Sequence, residues 1–307
     1  MITAAMSGSK TEVASLLSSG YPVDAQDEYG RSALYFAAKD NKLNIVKVLL
    51  ESGADVNLQT ASGWTALAIA ARYEGDVATL TALLDAGADV HLSTKDGWSP
   101  ILSAARYRGT DIVKLLLDRG ANIEDKNNYN MTALYLAVAA QNEDVAMFLL
   151  RRGASLDPVT TEGKSILGFA KEKNMNVDAL QRARNEFELY ERKARMEDRL
   201  LEIEQRDASL PMSIKRDKYL VAFTGALKSE DFLSALFYAN LLDRLGIPMD
   251  DSFYYFWGEA LLELQDPDGA IEKLNFYLSR VGSSGKYYTS ALQMILRAEK
   301  ARDGEVI

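Results

Sequence analysis

Cysteine is absent from the 307 residues, which removes disulfides, thiolate zinc sites and cysteine nucleophiles together. Histidine occurs once, at His91, so a histidine triad or zinc cluster lacks its further members. Neither a Walker-type loop nor a Gly-x-Gly-x-x-Gly is present, and phosphate cradling by a glycine-rich loop is unsupported. No run approaches the roughly 18 consecutive apolar residues of a membrane span. An excess of positive charge is missing too: the formal charge is −9 with no local basic patch, which argues against nucleic acid as the main ligand. Met1 to Lys10 lacks a basic stretch followed by an apolar core, so the cytoplasm is the expected compartment. No cofactor, metal or membrane insertion is expected.

What the chain does have is a period. Glycine followed by alanine and a polar residue recurs at Gly53, Gly87, Gly120 and Gly153, at intervals of 34, 33 and 33 residues. A turn residue recurs at Gly30, Gly63, Gly97, Asn130 and Gly163, at intervals of 33, 34, 33 and 33. Between these markers a short segment such as Thr65 to Ala70 precedes a leucine-rich run such as Ile112 to Leu117. Each reads as a helix with one apolar face, which neither helix buries alone, so neighbouring pairs must stack. The glycine after each second helix supplies the left-handed backbone that ends it. One extra residue between Arg72 and Leu83 is expected to enlarge an inter-helix turn.

This pattern resembles the ankyrin repeat over roughly residues 2 to 173. The family's Thr-Pro-Leu-His-x-Ala stands here as Ser32 to Ala37, Thr65 to Ala70, Ser99 to Ala104 and Thr132 to Ala137, with the histidine replaced every time. The first residues look like the inner helix of a repeat whose front is missing, which keeps a periplasmic origin with a removed leader open. The expected fold is all-α: a solenoid of about five ankyrin repeats over residues 1–176, a long connector helix within 177–210, and a smaller helical domain over 211–307.

The connector, from Val177 to Arg206, is highly charged and free of glycine and proline, long enough for a helix of about 45 Å. Leu180, Phe187, Ala194 and Leu201 recur every seven residues without the second half of a coiled-coil seam. Packing along its own neighbours and a dimerising coiled coil both remain open, with a monomer favoured over a homodimer. Glu188 with Arg192, and Glu191 with Arg195, are helix-surface pairs. Pro211 and Ser213 mark a break and a new N-cap. Beyond them Tyr254, Trp257, Gly258, Leu261 and Ala270 match the tetratricopeptide pattern in spacing, with Asp266 to Gly269 as the turn and a helix from about Tyr287 as the cap of the stack. As a calcium loop that turn would want glutamate at its twelfth position, where Tyr277 stands.

Glu124 with Asp125 repeats a finger motif, and His91 reads as a loop cap, so no catalytic group stands out. Aromatic residues outside the repeat core do. The ankyrin resemblance implies a partner protein held by the fingers and the exposed ends of the inner helices on one concave face. The positions that carry over are Tyr29, Trp64, Arg72, Tyr73, Trp98, Arg106, Tyr107, Tyr129 and Met131. Arg31 and Lys164 occupy the same place after the finger turn. Tryptophan, tyrosine and arginine dominate binding hot spots. The alternative is that Trp64 and Trp98 stack with the arginines as a stabilising ladder between fingers, which is compatible with binding. From the tetratricopeptide resemblance, Tyr255 and Glu259 are expected to point into a second groove, while Tyr254 and Trp257 face the core. Phe256 stands where a carboxylate-clamping asparagine would be, which disfavours that ligand class.

Overall fold

The computed structural model describes residues 1–302, apart from the side chains of Lys193 and Glu197. Two compact units divide at Glu188 and Leu189. In the first, helices alternate in pairs: α1 (Ile2–Ser7) with α2 (Lys10–Ser18), α3 (Ala33–Lys39) with α4 (Leu43–Glu51), α5 (Ala66–Arg72) with α6 (Val77–Asp85), α7 (Pro100–Tyr107) with α8 (Thr110–Asp118), and α9 (Ala133–Ala139) with α10 (Glu143–Arg151). Next comes α11 (Ile166–Glu172), and then α12 (Val177–Arg206), whose first turns bury Leu180 and Ala183 in the same core.

The inner helices α3, α5, α9 and α11 start on a hydroxyl cap. Ser32, Thr65, Thr132 and Ser165 accept from the N–H three residues on, so the cap reaches the site of the missing histidine through its backbone. Ser99 makes no such bond; Pro100 opens α7 instead. Ala37, Ala70, Ala104, Ala137 and Ala170 are fully buried and let successive inner helices approach closely.

Two lines of hydrogen bonds join the repeats. Along the fingers, the backbone N–H groups of Ala61, Lys95, Asn128 and Thr161 donate to carbonyls one repeat earlier, on Tyr29, Ser62, Asp96 and Tyr129. Within each finger Asp27, Thr60, Thr94, Asn127 and Thr160 accept from the N–H four residues on, which closes the turn. Asp24, Asn57 and Glu124 cap the next finger's backbone. His91 holds the equivalent place but is exposed, and its own N–H is capped by Asp89. No hydrogen bond of its ring is found among the described residues, so the expected loop cap does not form.

The second line runs through the inter-helix turns. The extra residue falls there, as the enlarged turn Tyr73 to Asp76. Arg108 from the next repeat donates to the carbonyls of Tyr73 and Gly75, Asn142 donates to the Arg108 carbonyl at 2.8 Å, and Gln141 donates to Lys173 at 3.1 Å.

In the second unit the later part of α12 is followed by α13 (Met212–Lys228), α14 (Phe232–Arg244), α15 (Asp251–Glu263), α16 (Pro267–Val281) and α17 (Tyr288–Arg302). Helix α12 contributes its first turns to the first unit and its later part to the second. Its end buries Leu200 and Ile203 against α13 to α15, whereas Ala194 and Leu201 of the heptad row are exposed. Glu188 pairs with Arg184 at 3.1 Å, backward along the helix. Helix α13 begins two residues earlier than an N-cap at Ser213 implies, its N-cap being Pro211, whose ring leaves no N–H to satisfy. Gly258 permits α16 to close on α15: a Cβ there would lie 2.6 Å from Leu274.

Asp207, buried at 3% exposure, fixes the corner between α12 and α13. It accepts from Arg206 Nε at 3.1 Å, Lys218 Nζ at 2.7 Å and the Tyr219 hydroxyl at 3.0 Å. These bonds, Arg206's foremost, hold its carboxyl well below the usual range, and burial first, then Asp207, pushes the Tyr219 hydroxyl up to about 12.

Two predictions follow from this packing. Gly97 (φ +79) has a finger backbone against it, where a Cβ would lie 2.9 Å from Asn127 Cα, while Gly120 (φ +94) faces open space. Urea titration is expected to show G97A losing at least about 2 kcal/mol and G120A only about 1 kcal/mol. Asp207's folded-state pKa is depressed, so its contribution is complete above the unfolded value near pH 4 and is lost as pH falls further. D207N should be less stable at neutral pH and lose less stability on acidification below about pH 4, read by circular dichroism.

Candidate protein-binding face

The position after each finger turn and the end of each inner helix lie side by side on one face of the first unit. Arg72 is the hub. Its guanidinium carbon lies 5.2 Å from the Trp64 ring centre, 5.7 Å from Tyr73, 5.9 Å from Trp98 and 4.9 Å from Tyr107. Arg106 lies 5.9 Å from Trp98 and 5.4 Å from Tyr107, whose rings are 6.5 Å apart and tilted by 33°. Two arginines thus join rings from two consecutive repeats, Trp64 reaching Trp98 through Arg72.

The structure therefore brings Trp64, Arg72, Tyr73, Trp98, Arg106 and Tyr107 together. Trp64, Trp98 and Arg72 are half-buried, while Tyr73 and Tyr107 remain 43% and 42% exposed. Tyr29 stands apart, exposed over Arg31 at 4.7 Å, and Arg31 also lies under Phe36 at 4.9 Å. Tyr129, the equivalent of Tyr29 three repeats further on, is exposed, and Met131 is half-buried against the core. Tyr255 belongs to the second unit and does not open into a groove. It is buried, stacked on Tyr287 at 4.4 Å, because the chain entering α17 folds over that side of α15.

Lys39 extends the row, 5.1 Å from the Tyr73 ring. Its signal is in the register, since Lys39, Arg72 and Arg106 are equivalent positions in consecutive repeats. At the far end Phe169 stacks on Tyr135 at 5.1 Å, with Lys164 and Lys173 over its ring.

Arg31 is neutralised by Asp27 at 2.7 Å, and that hydrogen bond holds the Asp27 carboxyl below its usual range. Arg72 and Arg106 have no carboxylate partner among the described residues, although the chain carries a formal charge of −9. The centre of the face is thus locally positive and aromatic. No group of three His, Asp or Glu placed to hold a metal, and no helix long and apolar enough to cross a membrane, occurs among the described residues.

Comparison with known proteins accords with this geometry. The family model for ankyrin repeats (3 copies) matches residues 1–94 and 69–160, together more than half of the sequence, and the chain belongs to the ankyrin-repeat family. A 44-residue stretch is 46% identical to ankyrin repeat protein 14 of Vaccinia virus (strain Western Reserve), covering 14% of this chain and 19% of that protein. The chain therefore matches about a fifth of that relative's length. The helices of the second unit carry no family assignment.

If Arg72 holds the rings in place, R72A should lower stability by about 1 kcal/mol in urea titration, and R106A, which meets fewer rings, by less.

Proposed function

We propose that this chain is a non-enzymatic scaffold that holds a segment of another protein on the concave ankyrin face, centred on Trp64, Arg72, Tyr73, Trp98, Arg106 and Tyr107. The observation that carries the reading is the pair of uncompensated guanidinium groups set among half-exposed rings. Large rings bury area at little entropic cost, and Arg72 and Arg106 remain available for hydrogen bonds at their edges. The partner segment presents carboxylates together with apolar or aromatic side chains. The ring ladder and the binding face are one structure, because cation–π contacts fix the rings before a partner arrives and reduce the ordering cost of binding. Tyr29, Tyr129 and Met131 extend the same surface toward its two ends.

The second unit is read as tetratricopeptide-like, from the close approach at Gly258 and the succession of helices, and it offers a second binding surface. A structural role through self-association is the competing reading, favoured by the exposed Ile214 and Val221 on α13 and Leu201 on α12. A monomeric mass in solution is expected; a stable dimer lost on removal of residues 189–307 would support self-association instead.

The test of the scaffold reading uses the full chain and a variant with Trp64, Tyr73, Trp98 and Tyr107 changed to alanine, its fold checked by circular dichroism. A protein captured from lysate by the parent should bind the variant about a hundredfold or more weakly, and its affinity for the parent should fall as salt rises. Equal binding by both chains would remove the site from this face.

A further inference from the structure

The second unit contains a cleft of about 790 Å³ between α13 and α15, distinct from the ankyrin face. Its floor is apolar. Phe223 and Phe253 are buried edge to face at 5.2 Å, with Leu220, Leu227 and Phe256 along the sides. Glu259 joins this wall one turn beyond Phe256.

Glu259 is half-buried, and no hydrogen bond or ion pair of its carboxylate is found among the described residues. Its neighbours are served differently: Glu263 pairs with Arg297 at 3.1 Å, and Arg216, at the cleft's edge, pairs with Asp217 at 2.8 Å. Burial first, and then the like charge of Glu263, push the Glu259 carboxyl above its usual range, with no cation opposing them. A half-desolvated carboxylate in an apolar cleft is costly to keep charged unless a cation meets it there. Arg216 and Lys228 line the same cleft without doing so.

We propose that this cleft takes an apolar segment of another protein carrying one lysine or arginine, whose cationic head pairs with Glu259 while flanking large side chains cover Leu220, Leu227 and Phe256. The proposal rests on the second-surface reading above and needs nothing of the ankyrin face. Size favours a segment over a compact ligand: from Arg216 to Lys228 the wall runs about 18 Å, the length of about three helical turns. The charge selects the opposite chemistry from the one the ankyrin face invites, so the two sites would not compete for one partner segment.

Selection of a displayed library of random peptides on the full chain tests this, with Glu259→Gln and Leu220→Arg as parallel baits. Circular dichroism establishes that both variants fold, and E259Q, which removes an unpaired half-buried charge, should melt no lower than the parent. Sequences enriched on the parent and lost on L220R should share a lysine or arginine between large apolar residues. A synthetic copy should bind E259Q about tenfold or more weakly than the parent, as should a copy with norleucine at the basic position. Binding to R72A/R106A should be unchanged. Sequences lost on L220R that lack a basic residue, or that bind E259Q as tightly as the parent, would overturn the cationic pairing and leave the second surface standing. If L220R loses no sequence, both fail. A parent dimer that E259Q converts to monomer would place a second copy in the cleft and overturn the partner assignment.

Discussion

A helix of seven residues cannot bury its apolar side unaided, and α3, α5, α9 and α11 are all of that length. Each is completed by its partner helix and by the neighbouring repeats, through the row of buried alanines and the finger bonds that cross from one repeat to the next. Everything on the first unit's surface inherits that translation. Arg31, Trp64, Trp98, Met131 and Lys164 are one position repeated, and so are Lys39, Arg72 and Arg106. The candidate site is therefore two registers crossing, in which a side chain's identity is free to vary while its place is not.

That division explains what could be read from residues alone. Glycine spacing and apolar runs survive substitution between repeats, so helices, fingers and the enlarged turn at Tyr73 to Asp76 were legible. Membership of the face followed from register. How its side chains meet did not: Arg72 reaches forward to Trp98 and Tyr107 of the following repeat as well as to Trp64 of its own, a choice of rotamer that no spacing encodes. The replaced histidine also leaves little trace, since the capping hydroxyl uses a backbone N–H that any residue except proline supplies.

The second unit was less legible because its period is weaker and its contacts are particular to it. The aromatic run Phe253 to Trp257 covers every side of α15, and which ring faces outward depends on what closes each side. The chain entering α17 closes the side of Tyr255, leaving Phe256 and Glu259 on the cleft. Asp207 gave no signal at all. A lone aspartate after a charged helix reads as solvated, yet three donors gather on it, and it orders the corner on which α13 begins.

The turn line in the first unit bears on how the solenoid would come apart under load. Repeats held only by stacked faces peel from an end one after another, each detachment exposing the next. Here Arg108 grips two carbonyls of the preceding repeat's turn while its own carbonyl is held by Asn142 of the following one. Three consecutive repeats are thereby laced at one residue. A pull that separates two of these repeats would have to break bonds of that one residue, next to Tyr107 in the aromatic row.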